Sequence, residues 1–493
     1  MTQTPTAVSE SRMLIGGELV DAASGKTFDN VNPATEETIG QVADADATDM
    51  QRAIDAARTA FDSTDWSTNR PFRIRCLQQL QAALESEREE LRTELVAESG
   101  SPVMLTYGGQ IDGPIDDNIQ WPIKMIGEFA WERELPPATL YGVNSGRRVW
   151  KEAMGVVGAI VPWNFPFDLA TLKIGQILAT GNAMILKPAP DTPFNATRIG
   201  RLIAAKTDIP PGVFNVVTSS DHLVGEELTL SPKVDMISFT GSSATGKRIV
   251  EKGAPTMKRV VLELGGKSAG VFLDDADLAA ALPQAGMASC THGGQFCANQ
   301  SRILVPRARL EEATALLAEA MKNVPYGDPT DPNMMMGPQI SAKQRQRVLD
   351  YIDIGKSEGA ELVLGGGKPP HLPKGWFVEP TLFTNVDNAM RIAQEEIFGP
   401  VLCVIPYDDE DHAAKIANDS QYGLSGGVVS ASQDRAFEFA RKLRTGTVGI
   451  NGGIFYAPDA PYGGYKSSGI GRQGGPEGFD TYLETKTVAW NLS

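Results

Sequence analysis

Two periodicities divide the chain. Residues 51–62 and 70–98 carry apolar positions at helical spacing among Ala, Glu, Gln and Arg, which predicts surface helices with solvated charged faces. From about residue 155 the pattern changes to short β-branched runs separated by amphipathic segments. Val156 to Val161, Ala183 to Leu186, Val213 to Val217, Met236 to Phe239 and Val260 to Leu264 read as strands. Between them, Leu169 to Ala179, Pro193 to Lys206, a segment after Asp221 and one after the turn at Gly241 read as helices. Such alternation implies parallel strands joined by right-handed crossovers, hence a doubly wound α/β sheet whose ligands bind beyond the carboxyl ends of its strands.

A second alternating region follows Gly265. Arg302 to Val305, Leu402 to Ile405, Gly427 to Val429 and Val448 to Ile450 read as strands, and 308–322, 341–357, 409–419 and 433–444 as helices. The final run, Thr485 to Leu492, reads as a strand with no partner near it in sequence, free to join another sheet or another subunit. A chain of 493 residues with 42% hydrophobic content suits two or three globular domains. The net charge of −16 excludes a surface built to neutralise nucleic acid or anionic lipid. The polar stretch Met1 to Arg12 lacks the apolar core of a secretion signal. Pro162, Asn164, Pro166, Asp168 and Lys173 interrupt the most apolar region, which removes it as a membrane span. Four irregularly spaced cysteines make no disulfide framework and fit a reducing, cytoplasmic compartment, and the four histidines show no metal-ligand spacing.

Candidate chemistry falls at strand ends and loops. Gly293-Gly294-Gln295-Phe296-Cys297 surrounds one thiol with small residues; a nucleophile needs such open backbone, although an isolated cysteine is more often packing. Pro162-Trp163-Asn164-Phe165-Pro166 holds an amide between two prolines, as a rigid helix cap or as a donor to an oxyanion. Thr240-Gly241-Ser242 opens a helix whose N–H groups could receive a pyrophosphate, without the usual glycine spacing. Lys187 ends the second strand, where a ribose or phosphate would lie. Glu263 stands in an apolar strand, where burial raises a carboxyl toward a general base, or where a salt bridge holds it structurally.

Together PWNFP (162–166), LKP (186–188), FTGS (239–242), LELGGKS (262–268), GQFC (294–297), EEIFGP (395–400) and PYGGYKSSGIGR (461–472) resemble the aldehyde dehydrogenase superfamily, in the family's own order. The resemblance implies a Rossmann-like NAD-binding domain from 1–131 and 151–265 and an α/β catalytic domain from 266–465. It implies a small β bridging and oligomerisation element from 132–150 and 466–493, giving a homodimer or homotetramer. It makes Cys297 the nucleophile, Asn164 with the Cys297 N–H the oxyanion donors, and Glu263 the base for the deacylating water. Pro162, Trp163, Lys187, Thr240, Gly241, Ser242, Leu264, Glu396 and Phe398 then bind the cofactor. Phe165, Leu169, Leu172, Phe296, Tyr456 and Tyr462 line the substrate tunnel, an apolar set that favours an uncharged aliphatic or aromatic aldehyde over an anionic semialdehyde.

Two positions depart from the family. Pro190 followed by Asp191 replaces the glutamate that usually bonds the adenosine ribose; no arginine beside it invites a 2′-phosphate, so NAD is favoured and NADP stays open. A frequent C-terminal glutamate aligns with Pro476, and the adjacent Glu477 receives no proton-handling role. Two other readings of the same motifs stand: a CoA-acylating semialdehyde dehydrogenase, which would lack the hydrolytic glutamate, and a non-catalytic scaffold or binding protein of the same fold.

Overall fold

Five parallel strands create the first crevice. Val156–Ile160 has Ala183–Lys187 and then Phe214–Val216 on one flank, and Met236–Thr240 followed by Arg259–Glu263 on the other. The chain thus winds outward in opposite directions from Val156–Ile160 and Met236–Thr240, so the loops that follow these two strands part at the carboxyl edge. The strands are buried on both faces, which explains their nearly unbroken apolar runs. Met184 and Leu186 pack toward the helices Pro166–Ala179 and Phe194–Lys206, while Ile185 between them packs toward Ala47–Ser63 and His222–Leu230.

This computed structural model describes residues 9–492. Most of the polar stretch Met1 to Arg12, and Ser493, lie outside the described residues. Several elements depart from the sequence reading. Residues 70–98 form two helices, Arg70–Ser86 and Arg88–Ser99. They part at Glu87, which leaves helical geometry and turns its carboxylate to Arg198 and Arg201. Short strands escaped the periodicity because two or three residues carry no alternation to read. Met13–Ile15 and Glu18–Val20 extend the first sheet beyond Phe214–Val216, and Gly469–Ile470 pairs antiparallel with its opposite edge strand Arg259–Glu263.

The second sheet holds Thr381–Thr384, Val401–Tyr407, Arg302–Pro306, Ala269–Phe272, Ser425–Val429 and Thr447–Ile450 in parallel, with Glu361–Leu364 antiparallel at one edge. Residues 264–268 leave the carboxyl end of the first sheet and enter the amino end of the second. The first crevice therefore faces the loops that lead into the second sheet. The terminal strand, Leu483–Asn491, finds its partner within the chain: it pairs antiparallel along Val143–Ala153, which also pairs with Glu132–Leu140. No helix among the described residues is long and apolar enough to cross a membrane.

Candidate active site

Cys297 follows a left-handed turn made by His292 and two glycines. His292, Gly293 and Gly294 take φ of 53°, 65° and 68° in succession, a left-handed run between the helix Leu278–Cys290 and the strand Arg302–Pro306. A Cβ on Gly294 would stand 2.2 Å from the Gly399 carbonyl oxygen, and one on Gly266 would stand 2.4 Å from that of Cys297. The fully buried Gln295 pins the turn: its Oε1 accepts from Ile340 N at 2.9 Å, and its Nε2 donates to His292 O at 3.0 Å and Pro338 O at 3.1 Å. Gly294→Ala combines the clash with the φ penalty and is expected to destabilise the fold by about 1–3 kcal/mol, read as a lowered denaturant midpoint.

The thiol emerges half-buried, with the Tyr462 hydroxyl 3.4 Å from its sulfur. Burial pushes the thiol up to about 11, against the opposing hydrogen bond from Tyr462. Asn164, 4% exposed, approaches the same loop: its Nδ2 donates to Gln295 O at 2.9 Å, which leaves the second amide hydrogen available. His292 Nε2 lies 2.8 Å from Asn164 O, and burial holds the imidazole down at about 4, so it is neutral and donates there. A buried ring thus fixes the backbone from which Asn164 projects.

Glu263 ends the strand Arg259–Glu263 at 3% exposure, and no group among the described residues bonds either carboxylate oxygen. Burial raises it well above the usual carboxylate range, opposed by the charges of Lys173 and Arg472. Lys173 is fully buried, donates to Ser238 Oγ at 2.9 Å and is drawn down to about 7 by burial. Glu263 forms no salt bridge among the described residues: Lys173 acts on it through its charge while its hydrogen bond goes to Ser238.

One cavity of about 770 Å³ is lined by all three residues together with Pro162, Trp163, Phe165, Leu169, Leu172, Thr240, Gly241, Ser242, Leu264, Phe296, Glu396, Phe398, Tyr456 and Tyr462. At one end Ser242 caps the helix Ser243–Gly253, its Oγ accepting from Thr245 N at 3.2 Å, so that first turn opens on the cavity. Glu396 accepts from Gly266 N at 3.0 Å through Oε1, and burial raises it to about 7. Phe398 takes φ 63° and sets its ring edge-on to Trp163 at 5.4 Å. Gln344 holds that turn by donating to Phe398 O at 2.8 Å.

Lys187 is the predicted cofactor residue that this lining lacks. It is 4% exposed, donates to Pro188 O at 3.2 Å, and is lowered to about 8 by burial against the carboxylates of Asp191, Asp221 and Asp44. Glu477 is exposed on the helix Gly475–Thr481, and the cavity is met instead by the buried Gln473. Sequence reasoning also missed Asp168, Gln344, Arg347, Tyr422 and Phe455 in the lining. Asp168 leaves one signal in the sequence, a carboxylate that interrupts an apolar helix, and nothing there names its partners.

The family model for the aldehyde dehydrogenase family matches residues 19–488. A 3-succinoylsemialdehyde-pyridine dehydrogenase from a Pseudomonas species is 40% identical over 96% of this chain and 97% of its own length. Among solved structures, a Mycobacterium tuberculosis aldehyde dehydrogenase complexed with NAD+ is 40% identical with a TM-score of 0.93, covering 98% of each chain. A cysteine-to-alanine mutant of Pseudomonas syringae aldehyde dehydrogenase C, complexed with NAD+ and octanal, is 37% identical with a TM-score of 0.91, covering 97% of this chain and 96% of that one. With the family model matching residues 19–488 and relatives at 40% identity covered almost from end to end, the chain belongs to the aldehyde dehydrogenase family.

Proposed function

We propose that this protein oxidises an uncharged aliphatic or aromatic aldehyde to the carboxylic acid, with NAD as the hydride acceptor. The observation that carries the reading is Glu263: a buried carboxylate, bonded by no group among the described residues, lining the cavity that also holds Cys297 and Asn164. In this mechanism the Cys297 thiol gives its proton to solvent water, the thiolate sulfur adds to the carbonyl carbon, and the second Asn164 amide hydrogen and the Cys297 N–H stabilise the oxygen as it gains charge. When bound, NAD supplies the hydride acceptor that lets the adduct become a thioester. Glu263 then takes a proton from water as it attacks the thioester, releasing the acid and returning Cys297.

The residues present fit that cofactor. The helix start at Ser242 offers N–H groups to a pyrophosphate, Glu396 suits a ribose, and the Trp163–Phe398 pair suits the nicotinamide side. Gly265 lets Glu396 approach, since a Cβ there would stand 2.3 Å from Glu396 Oε2. Pro190 stands at the position of the family's ribose glutamate, with the half-buried Asp191 next to it acting on Lys187, and no arginine beside them invites a 2′-phosphate, so NAD is the expected partner over NADP. In the same reading, residues 1–131 and 151–265 hold the cofactor, 266–465 carry catalysis, and 132–150 with 466–493 bridge subunits of a cytoplasmic homodimer or homotetramer.

The test is NADH formation with hexanal, benzaldehyde and succinic semialdehyde side by side. Hexanal or benzaldehyde should lead, and a strong preference for succinic semialdehyde would overturn the substrate class. Added CoA should yield no acyl-CoA, because Glu263 commits the thioester to water. Acyl-CoA formation would favour the acylating alternative, and absence of turnover on every aldehyde would favour the scaffold.

A further inference from the structure

One buried charge in the cavity has no part in that chemistry. Asp168 lies two residues past Pro166 on the helix Pro166–Ala179, at 4% exposure, and lines the cavity beside Leu169 and Leu172. Its Oδ1 accepts from Asn118 Nδ2 at 3.0 Å and its Oδ2 from Tyr456 Oη at 2.8 Å. Both donors are neutral, and no cation among the described residues acts on it. Burial raises the carboxyl to about 6 against those two hydrogen bonds, so it is ionised at neutral pH. Tyr456 meets Tyr462 edge-on at 5.3 Å, and the Tyr462 hydroxyl reaches the Cys297 sulfur. The uncompensated charge therefore sits two aromatic rings from the reacting sulfur, on the side where Leu169 and Leu172 would meet the substrate's tail.

We infer that Asp168 is a specificity-determining residue that filters aldehydes by tail charge, refusing anionic semialdehydes and admitting neutral and cationic ones. The inference rests on the aldehyde-oxidising reading above and extends it to the cationic class. An anionic tail would lose its hydration to face a second buried negative charge, and no cation among the described residues acts on Asp168 to offset it. An ammonium tail would gain that same charge, along with the ring faces of Tyr456 and Phe455. A neutral tail would meet only the apolar walls.

The experiment compares kcat/KM for three aldehydes on a four-carbon chain: butanal, succinic semialdehyde and 4-trimethylammoniobutanal. In the wild-type protein the anion should be the poorest substrate. Asp168→Asn should raise the anion-to-neutral ratio of kcat/KM by roughly ten-fold or more, and lower the cation-to-neutral ratio by a similar factor. Asp168→Ser, which retains an acceptor for Tyr456 without the charge, should shift both ratios the same way and serves if the asparagine variant fails to fold. Ratios that stay within about two-fold while butanal is still oxidised would mean that Asp168 only holds Tyr456, and would overturn the filter alone. A wild-type protein that forms NADH from none of the three would overturn the parent reading, and the filter with it.

Discussion

Cys297→Ala should abolish aldehyde oxidation, with kcat falling by about ten-thousand-fold or more, while NAD affinity stays within about two-fold. No other thiol can substitute. Cys76, Cys290 and Cys403 are all buried, and burial pushes the nearest in sequence, Cys290, up to about 12. Removing the sulfur leaves the loop intact, because its shape is held by the left-handed glycines and the Gln295 hydrogen bonds. The residues assigned to the cofactor lie on other segments, at Ser242, Glu396 and the Trp163–Phe398 pair, so binding measured by NADH fluorescence should report an unchanged site. Retained turnover would remove Cys297 from the mechanism. Lost turnover together with lost NAD binding would point to a collapsed site rather than a missing nucleophile.

Much of the lining of one cavity was legible in the sequence, and so were the longer strands of the frame. Cys297, Asn164 and Glu263 were legible because each broke a local rule: glycines before a thiol, an amide between prolines, a carboxylate in an apolar strand. The longer strands around them could be read from β-branched runs. Ala269–Phe272 and Gly469–Ile470 could not, since their membership depends on Arg302–Pro306 and Arg259–Glu263 lying beside them. The break at Glu87 is likewise tertiary, made by arginines more than a hundred residues away. Asp168 shows a different loss. In the sequence it counts only as an interruption of an apolar region, because the neutral partners that leave its charge uncompensated, Asn118 and Tyr456, come from 50 and 288 residues away.

Glu263→Gln should separate the two halves of the reaction. The amide keeps the size of the side chain but cannot accept a proton from water, so deacylation should slow by about a hundred- to ten-thousand-fold. Acylation uses Cys297 and Asn164 and should proceed, giving one equivalent of NADH per site in a rapid burst followed by a much slower steady rate. The pH profile supplies an independent check. Burial raises the Glu263 carboxyl, and only its ionised form is a base, so wild-type deacylation should climb with pH along a limb displaced upward from the ordinary carboxylate range. The glutamine variant should lose that limb, because the group that titrates is gone. Lys173, drawn down to about 7 and acting on Glu263 through its charge, favours the carboxylate while it is protonated and withdraws that help as pH rises. Lys173→Met should therefore move the limb further upward while leaving the burst in place. An unchanged steady rate in Glu263→Gln would assign the water to another base. A burst lost along with the steady rate would place Glu263 in acylation instead.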